Sequence, residues 1–87
     1  MNPKRVDNIQ KEIVSQLRDM GCTVQHLHTI GKGCPDIIVG FRGKNHLFEL
    51  KAKRGLLTLA EAAWHQRWKG RVHVIRSFKE ARDALDG

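Results

Sequence analysis

Asp36, Glu49 and Lys51 are the side chains whose types and spacing could do chemistry together. Asp36 follows Pro35 and leads into Ile37-Ile38-Val39-Gly40-Phe41, while Glu49 and Lys51 flank Leu50. Two carboxylates held close repel unless a proton or a cation lies between them. Oxygen ligands of this kind suit a hard divalent ion, Mg²⁺ or Mn²⁺, with water completing its shell. A lysine beside the ion can orient a metal-bound water or help deprotonate it. Such a water next to a phosphate gives phosphodiester hydrolysis, and the metal offsets charge on the pentacovalent transition state.

Whether the three meet depends on strand register. Residues 36–41 are rich in β-branched side chains and predict a strand. Residues 46–52 predict its hairpin partner, with a turn over 42–45. Ile37, Val39 and Phe41 share one face, and Phe48 and Leu50 share one face of the partner. Burying both sets together requires paired positions that sum to an odd number such as 85 or 87. That parity puts Asp36, Glu49 and Lys51 together on the opposite face. In one register Asp36 faces Glu49, and in the other it faces Lys51 with Glu49 diagonal. Either places them within ~8 Å at the backbone. The ordinary alternative is a set of solvated ion pairs, each contributing ~0–1 kcal/mol. Two features weigh against it. Ile38 and Leu47 share the charged face, so something should partly cover it, and the loop into Asp36 carries Gly31 and Gly33 for close backbone approach to a ligand.

Other elements must hold this hairpin. Val6, Ile9, Ile13, Val14, Leu17 and Met20 form one apolar stripe of a helix over 5–20, stopped by Gly21. Residues 22–28 alternate as a strand. Thr58 to Glu61 has capping-box spacing and predicts a helix running to Gly70. Val72–Ile75 predicts a short buried strand, and Ser77 to Glu80 a second capping box opening a helix to about Leu85. The order is α-β-β-β-α-β-α, a single α/β domain over 1–87. A helix between the third and fourth strands implies a crossover joining parallel neighbours in a mixed sheet with flanking helices.

The chain has 87 residues and a formal net charge of +7. Its length allows one small domain with a marginal core, which dimerisation would supplement. Hydrophobic content of 40% argues against disorder. No apolar run approaches the ~20 residues of a bilayer span. The polar start is not a targeting signal, and Cys22 and Cys34 do not make a disulfide framework, so a cytoplasmic setting is expected. The positive excess points to a polyanion, nucleic acid before membrane surface.

At these residues the sequence resembles the VRR-NUC branch of the PD-(D/E)xK nucleases. The resemblance rests on Pro35-Asp36 and Glu49-Leu50-Lys51 within a longer context. That context is Gly33 to Gly40, Phe48 to Lys51, Gly55, Leu57-Thr58 and Trp64-His65, and it covers about residues 9–75. It implies a restriction-endonuclease-like core, with Asp36, Glu49 and the Leu50 carbonyl as metal ligands and Lys51 as the catalytic lysine. Glu12 matches an acidic residue that completes the metal site in many members; alone it would be a solvated glutamate beside Lys11. Relatives usually show glutamine where this chain has Glu61, which leaves two roles open: support of the site, or only the cap of Thr58. Stand-alone members from phages and bacteria further imply a homodimer acting on branched DNA such as Holliday junctions.

Among the remaining residues, Lys32, Lys53 and Arg54 flank the site and are the candidate phosphate contacts. Arg67, Lys69, Arg71 and Arg76 form a second basic cluster. Trp64 and Trp68 lie four apart, for core packing or a dimer interface rather than base stacking. His26 and His28 share a strand face as surface or network residues rather than zinc ligands. The expected activity is therefore a Mg²⁺- or Mn²⁺-dependent DNA endonuclease, with a non-catalytic nucleic-acid-binding module as the alternative. An inactive descendant would be expected to have lost one of Asp36, Glu49 and Lys51, and all three are present.

Overall fold

The computed structural model describes residues 3–87, with side chains from Asn8 onward. Met1 and Asn2, and the side chain of Val6 in the apolar stripe, lie outside the described residues. Helix α1 spans Pro3–Asp19. Its stripe buries Ile13, Val14 and Leu17, with Ile9 and Met20 packed at the edge. Gly21, at φ 99°, ends it. There the Cys22 amide donates to the Leu17 carbonyl at 3.0 Å, a backbone path that a left-handed residue permits.

Four strands follow the predicted order: β1 (Thr23–His26), β2 (Ile37–Phe41), β3 (Lys44–Leu50) and β4 (Val72–Ile75). The β2–β3 turn is shorter than expected. Arg42 (φ 51°) and Gly43 (φ 78°) both take the left-handed conformation. A two-residue turn of this kind matches the right-handed strand twist. It selects one of the two open registers, Ile37 opposite Phe48 and Val39 opposite His46. Continued by one step, that register sets Asp36 opposite Glu49.

The strands lie side by side in the order β1-β2-β3-β4. β1–β2 and β2–β3 are antiparallel, and β3–β4 is parallel, as the crossover implied. One face carries Ile37, Val39, Phe48, Leu50 and Ile75, and it buries them against α1 and α3 (Phe78–Leu85). Ile37, Val39 and Phe48 are fully buried. Ser77 caps α3, its hydroxyl accepting from the Glu80 amide at 3.2 Å. The Glu80 carboxylate reaches one residue beyond a standard capping box and accepts from the Arg76 amide at 2.6 Å.

Helix α2 (Leu59–Arg67) is different, since it buries no residue. It ends at Arg67, short of the expected Gly70, with Trp68 as its cap. Trp64 and Trp68 do not enter the core; they stack on each other with ring centroids 4.6 Å apart. Leu59 is 92% exposed and Trp68 47% exposed, so core packing is overturned for this pair and a surface role remains. Among the described residues, no helix is long and apolar enough to cross a membrane.

Candidate active site

The site forms where β2 begins and β3 ends. Asp36 Oδ2 accepts the Leu50 amide at 2.7 Å, which ties the start of one strand to the end of its neighbour. This bond also holds the Leu50 backbone beside the carboxylate. Glu49 is buried on the face away from α1 and α3. Its Oε1 lies 3.1 Å from His65 Nε2, and its Oε2 is buried without a hydrogen-bond partner. Burial, then the neighbouring Asp36 carboxylate, push the Glu49 carboxyl up to about 9. Desolvation dominates because the ionised form loses water and gains a like charge nearby. Two carboxylates this close call for a proton, a cation or water between them.

Lys51 Nζ donates to Glu61 Oε1 at 2.6 Å, with each side chain 17% exposed. The same Oε1 accepts the Thr58 amide at 2.8 Å, and Thr58 Oγ1 accepts the Glu61 amide at 3.1 Å. Glu61 is thus both the capping-box partner of Thr58 and the partner of Lys51. One oxygen completes the capping box and holds the lysine. Burial alone would raise the Glu61 carboxyl, but the Lys51 and Thr58 hydrogen bonds and the Lys51 charge bring it below its ordinary value.

The pairing of α2 with β3 follows from simple geometry. Glu61 and His65 are four apart on a helix, a rise of about 6 Å. Lys51 and Glu49 are two apart on a strand, about 6.6 Å. The two ladders therefore match rung for rung, Glu61 with Lys51 and His65 with Glu49. Sequence reasoning quoted His65 only as part of a longer resemblance and missed this contact. The matched spacing was the available signal. Burial holds the His65 imidazole below its ordinary value.

Gly33 sets how closely α2 approaches. It has φ 83°, and a Cβ there would run into the Ala60 carbonyl. Arg76 fixes the segment on the other side of the site. Its Nη1 donates to the Ala52 carbonyl at 2.7 Å and to the Gly55 carbonyl at 2.6 Å. This removes Arg76 from the second basic cluster as a free phosphate contact and makes it a clamp on the loop bearing Lys53 and Arg54. Lys32, Lys53 and Arg54 are all exposed.

Glu12 does not join the pair. The face of α1 toward Asp36 presents Gln10, Lys11, Val14 and Arg18, which line a cavity of about 500 Å³ with His26, His28 and Asp36. Glu12 is two residues from Val14, about 200° around the helix. It is exposed and borders a separate depression with Lys11, Ser15 and Gln16. Its one-residue step from buried Ile13 carries it outward. His26 and His28, with ring centroids 5.6 Å apart, stand beside Asp36 at the cavity wall. Among the described residues, no group of three or more His, Cys, Asp or Glu side chains is arranged to hold a metal. The ligand set that fits is two carboxylates and a backbone carbonyl: Asp36, Glu49 and Leu50. The buried oxygen of Glu49 without a donor is the feature that suits a hard cation.

No protein-family model and no curated protein matches the chain. Among solved structures, a VRR_NUC domain superposes with a TM-score of 0.74 at 23% identity, covering 93% of this chain and 94% of the other. The chain therefore has the fold of that domain, in which the α-β-β-β-α-β-α order is retained.

Proposed function

We propose that this chain is a VRR-NUC-type nuclease, a metal-dependent endodeoxyribonuclease acting on duplex or branched DNA as a homodimer. The observation that carries the reading is the buried Glu49 carboxylate, one oxygen of which has no donor, beside the half-buried Asp36 and with Lys51 held close by. Asp36, Glu49 and the Leu50 carbonyl would hold Mg²⁺ or Mn²⁺. When bound, the ion supplies Lewis acidity toward the phosphate and makes water a stronger nucleophile.

The remaining work falls to the chain itself. The Leu50 amide orients Asp36, and His65 orients Glu49. Glu61 fixes the Lys51 ammonium two residues along the strand from Glu49, where it can direct water toward the phosphorus and offset charge on a phosphate oxygen. Lys32, Lys53 and Arg54 contribute positive charge at the open end of the hairpin, within a chain of net charge +7. The uncovered side of α2, with Leu59 and the Trp64–Trp68 stack, is the surface offered to a second copy. Two copies would set two sites on one substrate and allow paired nicks across a junction.

Fluorescent duplex, flap and four-way-junction DNA, incubated with Mn²⁺ and with chelator, test the reading. Cleavage that needs Mn²⁺ and disappears in Glu49→Ala and Lys51→Ala is expected. DNA retarded but uncut under every condition would identify a binding module instead, and full activity in Glu49→Ala would sink the mechanism. Sedimentation velocity tests the assembly: a strict monomer that still cuts both strands contradicts the dimer.

A further inference from the structure

Lys51, Lys53 and Arg54 are close in sequence, yet different groups fix them. Lys51 is held at both ends: its amide donates to the Ile75 carbonyl at 3.0 Å, and its Nζ donates to Glu61. β3 ends at Leu50, and residues 52–55 form a turn closed by the Gly55 amide, which donates to the Ala52 carbonyl at 2.9 Å. Arg76, just past β4, reaches back to that turn. Its Nη1 donates to the Ala52 carbonyl at 2.7 Å and the Gly55 carbonyl at 2.6 Å, and lies 3.5 Å from the Lys53 carbonyl. The Arg76 amide donates to Glu80 Oε1 at 2.6 Å, which anchors the base of the side chain to the first turn of α3. A trans peptide points its amide opposite to its carbonyl, so the Lys53 and Leu56 amides face away from the guanidinium. Arg76 is half-buried, whereas Lys53 and Arg54 are exposed.

We propose, building on the nuclease reading above, that Arg76 is a positioning residue for DNA. It touches no phosphate itself, and instead fixes the 52–55 turn so that Lys53 and Arg54 meet the substrate already ordered. Long side chains on a loose turn lose backbone as well as rotamer freedom when they bind, and a turn fixed beforehand removes the backbone share of that loss. The two hydrogens of Nη1 already have two carbonyl acceptors, and charge-assisted bonds of this kind are strong ones. Lys51 does not depend on the clamp, because Ile75 and Glu61 hold it. Loss of the Arg76 guanidinium should therefore weaken DNA binding and leave the chemical step alone.

Fluorescence anisotropy of labelled duplex and four-way-junction DNA in chelator measures binding without cleavage. Arg76→Met, which keeps the stem and removes the donors, should raise Kd about five- to tenfold. Arg76→Lys, whose one nitrogen can also donate to two carbonyls, should recover most of the affinity. Single-turnover cleavage with Mn²⁺ at saturating protein should keep its wild-type rate in both variants, while the protein concentration giving half that rate rises with Kd. In a Lys53→Gln, Arg54→Gln background, Arg76→Met should change Kd by less than about twofold, because the groups it positions are gone. Exchange of the Gly55 amide, measured without DNA, should speed up in Arg76→Met. Arg76→Gln replaces Arg76→Met throughout should the latter not fold. An undiminished effect in the Lys53→Gln, Arg54→Gln background would make Arg76 a phosphate contact, and a fall in the saturating rate would make it a support of Lys51; either overturns the proposal. Unaltered Gly55 exchange overturns it as well. Wild-type protein that binds no DNA overturns the nuclease reading and this inference together, whereas wild-type affinity in Arg76→Met overturns this inference alone.

Discussion

The two faces of the sheet are held by different physics. On one, α1 and α3 bury Leu17, Ile37, Val39, Phe48, Leu50 and Ile75 in a single apolar cluster. On the other, α2 buries nothing and is fastened by Glu61 to Lys51 and by His65 to Glu49. Apolar packing contributes stability roughly in proportion to area and penalises an unpaired polar atom. The polar face gives up that gain, and in return keeps charged groups close together in a partly dry place. Stability and chemistry are thus assigned to opposite sides of one sheet only four strands wide.

Substitutions should separate the two sides. The largest effect belongs to the polar face: Lys51→Ala or Glu49→Ala should lower Mn²⁺-dependent cleavage by at least about 10²–10³-fold while the circular dichroism spectrum stays native. On the packed face, Phe48→Ala should cost about 3–5 kcal/mol in urea unfolding, because a fully buried ring leaves a cavity. A Phe48→Ala variant that lost activity without losing stability would blur the distinction. Gly33→Ala sits between the two. It must adopt φ 83° and push on the Ala60 carbonyl. A loss of about 1 kcal/mol or more is expected, lowering Tm by roughly 4–8 °C per kcal/mol, together with displacement of α2 and reduced cleavage.

Glu49→Gln offers a subtler contrast. In the metal-free protein the folded chain keeps the Glu49 proton up to about pH 9, whereas the unfolded chain releases it near the ordinary carboxylate value. The folded state binds more protons, so stability falls as pH rises toward 9. Thermal melts in chelator between pH 7 and 9 should show this slope in the wild type and a shallower one in Glu49→Gln, the remainder belonging to Cys22 and Cys34, whose thiols burial pushes up. That window avoids His46, His65 and His73, whose lowered values place their titration below it. An unchanged slope would mean that the Asp36–Glu49 pair is better hydrated than its burial suggests. The smallest effect belongs to the exposed Lys79–Asp83 pair, 2.9 Å apart on α3. Asp83→Asn should change stability by only about 0.3–0.5 kcal/mol, and less in high salt.

The hairpin was legible because its apolar pattern admits few registers. Parity alone brought Asp36, Glu49 and Lys51 to one face, and the Arg42–Gly43 turn then chose between two pairings. Parity is a property of one strand pair and needs no distant contact. Glu12 stands apart from the pair because a match on the first helix does not fix a direction around it. His65 was missed for the opposite reason: its position depends on how α2 lies along β3, a tertiary relation that no local period encodes. Spacing assigned the tryptophans to core packing or a dimer interface, and the core was already filled from the other side.

The oxygen that Glu61 shares between Thr58 and Lys51 ties helix formation to readiness of the lysine. Opening the first turn of α2 would release the ammonium at the same moment, since both bonds end on one atom. Because no buried residue anchors this helix, its opening free energy should lie well below that of global unfolding. The fraction of molecules with the lysine in place would then be set by a local equilibrium. Amide hydrogen exchange in α2, which needs no substrate, would measure how often the lysine is out of place.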